Sequence, residues 1–363
     1  MSKILSGELV GVRESVADEL LYLSPHQIPL LTLVGFSSPI SNIKHEWVED
    51  APYADESKTT ASGLADDTSI TVEDSTPFRV GHVVKINEEL LKVTAINDDT
   101  LTVERGYAGT TAADFASGDV VEVQFVEGVE GADARNARFK PRVRKDNLMQ
   151  IFDETISISG TAAAVSQYGI DDLYEYERQK KQEELALQLE KALINGIKYE
   201  SPDGSVRQMA GIRSQITTNV ADAGSSTLTD EMINDLMQDQ YEQGAFKSAG
   251  NWKILVPAKQ KRAISSFESN NIRLTRGENT RGQVVDYYVS DFGEAEIVLN
   301  NNLNANELMI IDTNRLSVHP MTGREFTHEV LGRVGDRIEG QIVGEYTNVL
   351  KQEQAHGRIK NLG

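Results

Sequence analysis

The chain has 363 residues, 36 basic and 56 acidic side chains, a net charge of −20 and no cysteine. Zero cysteine excludes disulfides, thiolate nucleophiles and cysteine-based zinc or iron–sulfur sites, and so acidic a balance repels nucleic acid unless basic residues are locally concentrated. At 39% hydrophobic and 25% charged residues it can bury a real core, divided into two or three domains; the sequence shows no apolar run of membrane-spanning length and no secretion signal, so a cytosol-like setting is expected.

Residues 1–41 read as an arm. A short amphipathic piece at 14–23 is followed by SPHQIPLLTLVGFSSPI, where proline and glycine are expected to break any helix. Its apolar residues (Ile28, Leu30, Leu31, Leu33, Val34, Phe36) need cover from the chain's own body or from a neighbour. Residues 42–48 alternate as a strand, with Ile43, His45 and Trp47 opposite Lys44, Glu46 and Val48. From 59 to 126 the texture changes to short Val/Ile/Thr-rich runs between Asn, Asp and Gly turns, which predicts a separate all-β unit. ARFKPRVRKDNLMQIF then reads as a strand again, with Arg138, Lys140, Arg142 and Arg144 on one side and Phe139 and Val143 on the other. The strands flanking the β unit are thus expected to form one long hairpin with that unit at its turn.

Residues 170–195 form the longest uninterrupted helix signal. Gly169 and the Asp171-Asp172 pair mark its start, and Asn195-Gly196 is expected to end it in the left-handed conformation. Leu185, Leu189, Leu193 and Ile197, with Ala186, Ala192 and Ile194, give a core stripe in the second half. Residues 175–184 are polar nearly all round, as in a helix that is solvated, with pairs such as Glu177 and Lys181, or that lies along another subunit. Further on, a helix at 229–243 opens on Thr229 and closes at Gly244; NWKILVP is a strand leading into a helix through Phe267 with Pro257 in its first turn; VVDYYVS, AEIVLN, ELMIIDT and GQIVGEYTNVL are strands.

Chemistry is sparse. Phosphate-loop, zincin, nucleophile-elbow and dinucleotide motifs are missing, and the six histidines (26, 45, 82, 319, 328, 356) have no metal-binding spacing; His319 and His328 fall in a loop-like region. No catalytic, cofactor or metal residue is expected. The non-random charge feature is 135–145, where Arg135, Arg138, Lys140, Arg142, Arg144 and Lys145 stand with no acid among them. Only Phe139 could stack on a base, so contact with an acidic surface of another copy is favoured over a solvated strand or a nucleic-acid groove.

The stretches HEWVEDA (45–51), NLMQIFDETISISGTAAAV (147–165), GIDDLYEYERQKKQEELALQLEKALING (169–196), RQMAGI (207–212) and GDRIEGQIVGEYTNVLKQEQAHGRIKNL (335–362) resemble the major capsid (major head) proteins of tailed bacteriophages. LTVERGYAGTTAADFASGDVV separately resembles a small β module of phage virion proteins, here an insertion. The resemblance implies an α+β chain of the Hong-Kong-type capsid fold: arm 1–41, extended loop 42–58 and 127–150, inserted all-β domain 59–126, peripheral domain 151–209 and 321–363 with a spine helix at 170–196, and axial domain 210–320. It implies a structural, non-enzymatic role: pentamers and hexamers of one chain closing an icosahedral head around double-stranded DNA without reading its sequence. Assembly would take place in the bacterial host cytoplasm, with a separate scaffolding protein and portal and no membrane or cofactor. No helical region of about a hundred residues precedes the arm, hence the separate scaffold. A lysine-to-asparagine crosslink, known among relatives, is not expected at Lys140, Lys145 or Asn348. Subunit-contact candidates are the six basic residues of 135–145, Trp47, Glu175, Glu177 and Lys181. An encapsulin-like compartment shares the fold, and the β module admits an adhesive, glycan-binding reading.

Overall fold

The computed structural model describes residues 28–131, 135, 137–165, 172–246, 251–267, 275–278, 284–333 and 335–363. The amphipathic piece expected at 14–23 and the helix start expected at 169–171 lie outside them. The described chain divides into two compact units, one of Val48–Val143 and one made of the residues on either side.

α1 (Pro29–Val34) occupies the stretch where prolines were expected to prevent a helix. Pro29 stands in the first turn, where a missing N–H costs nothing and a fixed φ suits the helix, so it starts the helix it was expected to break. Leu30 and Leu31 are buried in the main core; cover for the arm comes from the chain itself, although Leu33 and Phe36 stay exposed. β1 (Lys44–Glu49) follows.

Within Val48–Val143, six short strands pair antiparallel in the order β2, β7, β4, β5, β6, β3: β2 (Glu56–Lys58), β3 (Ser69–Thr71), β4 (His82–Ile86), β5 (Glu89–Asn97), β6 (Thr100–Glu104) and β7 (Val120–Val126). A bridge between Thr59 and Val72, flanked by bonds from Glu73 N to Lys58 O (2.9 Å) and Thr60 N to Thr71 O (2.9 Å), joins the two outer strands. The sheet therefore closes into a small barrel, which leaves no open edge for another strand to add to. Ile70, Val72, Val84, Ile86, Leu91, Val93, Leu101 and Val121 fill it. The sheet begins at Glu56, three residues before the boundary expected from sequence.

β8 (Val143–Leu148) pairs with β1, so the hairpin is six residues a side instead of long. Pro141 has no N–H to give a ladder, and Met149 N donates to Ile43 O (2.9 Å), ending the pair before β9 (Gln150–Ser159). After α2 (Gly160–Ala164) comes α3 (Leu173–Asn195). Asp172 is its N-cap, accepting from Tyr174 N (2.9 Å) and Glu175 N (3.2 Å). Leu185, Leu189, Leu193 and Ile194 are fully buried, whereas Ile197, past the helix end, is 70% exposed and leaves the expected stripe. Gly196 has φ −54°, not the left-handed geometry expected. Its glycine is required by proximity: a Cβ would stand 2.5 Å from both Ala192 O and Met209 O, because Gly211 N donates to Gly196 O (2.8 Å).

The remaining elements are β10 (Tyr199–Glu200), β11 (Arg207–Gln208), α4 (Ile212–Gln215), β12 (Asn219–Asp222), α5 (Asp230–Glu242), β13 (Trp252–Val256), α6 (Ala258–Ser265), β14 (Thr275–Glu278), β15 (Val284–Val289), β16 (Glu294–Leu299), β17 (Leu308–Asp312), β18 (Leu316–Pro320), β19 (Thr327–Arg333), β20 (Arg337–Leu350) and β21 (Gly357–Lys360). Among the described residues two larger sheets stand out. In one, β20 is central, paired with β9 over ten residues on one side and with β19 and then β18 on the other. His319 and His328 thus sit on strands, not in a loop, and β18 leaves the region expected to be axial. The other sheet is mixed, in the order β12, β21, β17, β13, β16, β15, β14. Here β21 inserts between β12 and β17, so the tail ends in this sheet instead of returning to the first one as expected. Alternate side chains of β13 and β17 serve two cores: Leu255, Met309 and Ile311 face α3, while Ile254, Val256 and Ile310 pack with α5 and α6.

Gly340 on β20 fixes how α3 meets that sheet. A Cβ there would lie 1.9 Å from Tyr174 Oη and 2.9 Å from His328 Nε2, the two atoms that hydrogen-bond each other at 2.8 Å. Gly340→Ala should destabilise the unassembled chain by roughly 1–3 kcal/mol in urea denaturation, as overpacking does. Tyr174→Phe in the same chain should recover part of that loss by removing the nearest atom; an unchanged midpoint for the single variant would contradict the geometry.

Candidate interaction surfaces

One buried carboxylate joins three elements of the larger unit. Glu190 on α3 is 0% exposed; its Oε1 accepts from Leu30 N (3.0 Å) and Asn300 Nδ2 (2.7 Å), and its Oε2 from Leu31 N (2.8 Å). Leu30 and Leu31 carry first-turn N–H groups of α1 that have no partner within the helix, so the carboxylate satisfies them and docks the arm. Asn300 follows β16 and is itself set by its N–H on Val256 O (2.9 Å). Burial pushes the Glu190 pKa up, and the two backbone N–H groups and Asn300 pull against it. Sequence reasoning did not single out this residue. Its position four after Ala186 and four before Ile194, on the apolar side, was the available signal.

The outer half of α3 is less bare than its composition suggests. Leu173 and Tyr174 pack on the main core, and the polar residues lie along β9. Lys181 reaches Glu184 (2.7 Å) and Glu154 on β9 (3.5 Å) in place of the expected Glu177. Glu175 is held by Arg178 (Nε to Oε2, 2.8 Å) and Gln179 (3.3 Å), and Glu177 is half-buried.

The basic segment does not form the single strand face expected, because the chain is not in a ladder before Val143. In the barrel unit, the Arg138 guanidinium lies 4.2 Å from the Tyr53 ring centroid and donates to Pro77 O (2.9 Å). Lys140 donates to Pro52 O (2.8 Å) beside the same ring, and Arg135 donates to Glu127 O (2.5 Å). Arg142 meets Asp50 at 3.2 Å. In the larger unit Arg144 is 3.9 Å from Glu46 with a side chain 80% exposed, and Lys145 is exposed. Arg138 and Lys140 therefore hold Tyr53, while Arg142, Arg144 and Lys145 present charge to water; in the barrel unit Phe139 is 85% exposed. Trp47 is half-buried, stacked on His45 at 6.3 Å between ring centroids, and His45 in turn neighbours His319 at 5.5 Å.

The stretch LTVERGYAGTTAADFASGDVV organises the barrel's loops. Arg105, nearly buried, donates to Glu89 Oε1 (2.8 Å) and Oε2 (2.7 Å), Leu64 O (2.8 Å), Asp67 O (2.9 Å) and Ala113 O (2.6 Å). Glu89 also accepts from Gly106 N (2.9 Å) and Ala113 N (3.1 Å). A guanidinium with this many satisfied donors ties two loops to one strand. Part of the pattern in the sequence thus has a structural cause, the Arg105–Glu89 pair and the loop carbonyls and N–H groups it holds. Among the described residues no group of three or more His, Asp or Glu is placed to hold a metal, and no helix is long and apolar enough to cross a membrane.

Residues 3–363 match the family model described as SU10 major capsid protein. A major capsid protein of Escherichia phage Phieco32 is 37% identical over 68 residues, 19% of this chain and 19% of that protein. Among solved structures, a chain from the capsid of an empty GTA particle is similar over 99% of this chain and 98% of its own, with TM-score 0.53 at 9% identity. A chain from Mycobacterium phage Bobi covers 100% and 99%, with TM-score 0.52 at 11% identity. At these identities the likeness is one of fold, and the fold is the Hong-Kong-type capsid fold that the sequence resemblance implied.

Glu190→Ala should cost about 3 kcal/mol or more in chemical denaturation, because it strands three buried N–H donors. Glu190→Gln should cost less and should also change the pH profile. A carboxyl whose folded pKa is raised stabilises the fold most below its unfolded pKa and loses that contribution as pH rises through the folded value. The wild-type chain should therefore lose stability relative to the Gln variant as pH rises above about 4.3, the ordinary glutamate value; parallel profiles would contradict the assignment.

Proposed function

This chain belongs to the SU10 major capsid protein family, and from that membership we propose that its copies form the icosahedral head of a tailed bacteriophage. Pentamers and hexamers of the chain would enclose double-stranded DNA without reading its sequence, built in the bacterial host cytoplasm with a separate scaffolding protein and portal. The observation that carries this reading is the family match over residues 3–363. The net charge of −20 supports it, since an acidic wall lets packed DNA slide instead of adhering. Heterologous contacts that close into rings of five and six give a shell from a single chain.

The division of labour proposed within the chain follows the sheets. α3 with β9, β18, β19 and β20 would make the peripheral domain; the mixed sheet, now including β21, would make the axial domain; β1 and β8 would be the base of the extended loop that carries the barrel. Of the contact candidates, Arg142, Arg144 and Lys145 keep their charge exposed and are the ones proposed to meet an acidic surface of a neighbour.

Co-expression with its scaffold and negative-stain imaging should show closed shells or capsomer rings, and sedimentation should show large species. A persistent monomer at all salt concentrations with scaffold present would overturn the reading. Particles containing enzyme cargo instead of DNA would favour an encapsulin-like compartment. The isolated segment Val48–Val143 should melt cooperatively, with a stability of a few kcal/mol, near the lower limit for so small a core. A segment without a cooperative melt would mean that the barrel does not fold as a domain.

A further inference from the structure

α5 and α6 share one face of the mixed sheet: Ile233, Leu236 and Met237 of α5 and Ile264 of α6 enter the same core as Trp252, Ile254 and Val256. α5 packs over β12 and β21, α6 beside β13. Their outward faces have opposite sign. α5 has no basic residue and exposes Glu231, Asp235, Asp239 and Glu242, spaced by four, four and three residues, so the four carboxylates share one flank of the helix. None of the four makes an ion pair with a described residue. Like charges at this spacing weaken a helix, and the Asp239 carboxyl is pushed up by partial burial and by its neighbours Glu242 and Asp235. α6 exposes Lys259 and Arg262, neither of which makes an ion pair with a described residue. With Ala258, Ala263 and Ser266 they line an open groove of about 570 Å³, where the other described lining residues have small side chains.

We propose that the acidic flank of α5 on one copy seats against the basic, small-residue groove of α6 on the next copy, as a repeating contact around the capsomer ring. Each chain carries both halves as two different surfaces, so a contact between them can repeat from one copy to the next. A second copy fits better than nucleic acid: among the described residues no aromatic side chain lines the groove, and the carboxylates of α5 on the same face repel phosphate. Small side chains in the groove let a helix approach closely, and the two charges lining it set the register.

This inference rests on the shell reading and is tested by charge reversal in the full chain, with the scaffold present. Asp235→Lys with Asp239→Lys, and separately Lys259→Glu with Arg262→Glu, should each leave the circular dichroism of the unassembled chain intact and raise the concentration needed for assembly at least tenfold. The chain with all four substitutions should return to within about threefold of wild type, because opposite signs meet again at every contact of a ring of five or six. If either reversal disturbs the fold, the neutral variants Asp235→Asn with Asp239→Asn and Lys259→Gln with Arg262→Gln replace them, with a smaller rise and a weaker salt dependence than wild type expected. Assembly that ignores every reversal, or a fourfold variant no better than the doubles, overturns the inference and leaves the shell reading standing. A wild-type chain that never assembles overturns both.

Discussion

Three N–H donors from two distant segments converge on the Glu190 carboxylate, and the arrangement of the larger unit depends on that convergence. A carboxylate taken out of water is costly unless its oxygens are filled, so the charge in α3 demands the first turn of α1 on one side and Asn300 on the other. The consequence is a constraint that ties α3 to one piece 160 residues before Glu190 and to another 110 residues after it. Leu30 and Leu31 can reach the core only while their N–H groups are satisfied there. A hydrophobic residue at position 190 would pack as well but would leave those donors stranded.

Glycines make a second kind of constraint nearby. Gly196 and Gly211 let two backbones touch at the end of α3, and Gly340 lets the Tyr174 side chain lie across β20 at the other end. α3 is thus fixed to its surroundings at both ends and through Glu190 between them. For a subunit proposed to sit in a closed lattice this matters, because small errors in the angle between contact surfaces accumulate around a ring. The barrel solves a different problem. Its Thr59 to Val72 bridge removes the open edges that an exposed sheet would offer to neighbouring copies at high local concentration.

Much of this was legible in the sequence, and the misses have physical reasons. The α3 stripe, the Thr229 cap of α5, the strand runs of the mixed sheet and the barrel strands all followed from local periodicity and punctuation. α1 was missed because Pro29 was read as a breaker when its position made it an initiator. β18 and β19, with Pro320, His319 and His328, lack apolar alternation strong enough to signal a strand, and they exist because β20 supplies a ladder. Placing β21 in the mixed sheet is a long-range pairing with β12 and β17 that no local pattern encodes. Arg138 and Lys140 were read as one basic face by counting alternate residues, but Pro141 breaks the ladder and Tyr53 claims both side chains. Glu190 was hidden by its charge, since composition assigns a glutamate to water until its partners are known.

Amide hydrogen exchange of the unassembled chain is the most direct test of the central claim, that the buried carboxylate holds the arm to the core. Peptides covering Leu30 and Leu31 should exchange as slowly as those from β20 and α3, through openings that approach global unfolding. Exchange at those two amides within seconds, while β20 and α3 stay protected, would show the arm undocked in solution and would contradict the account.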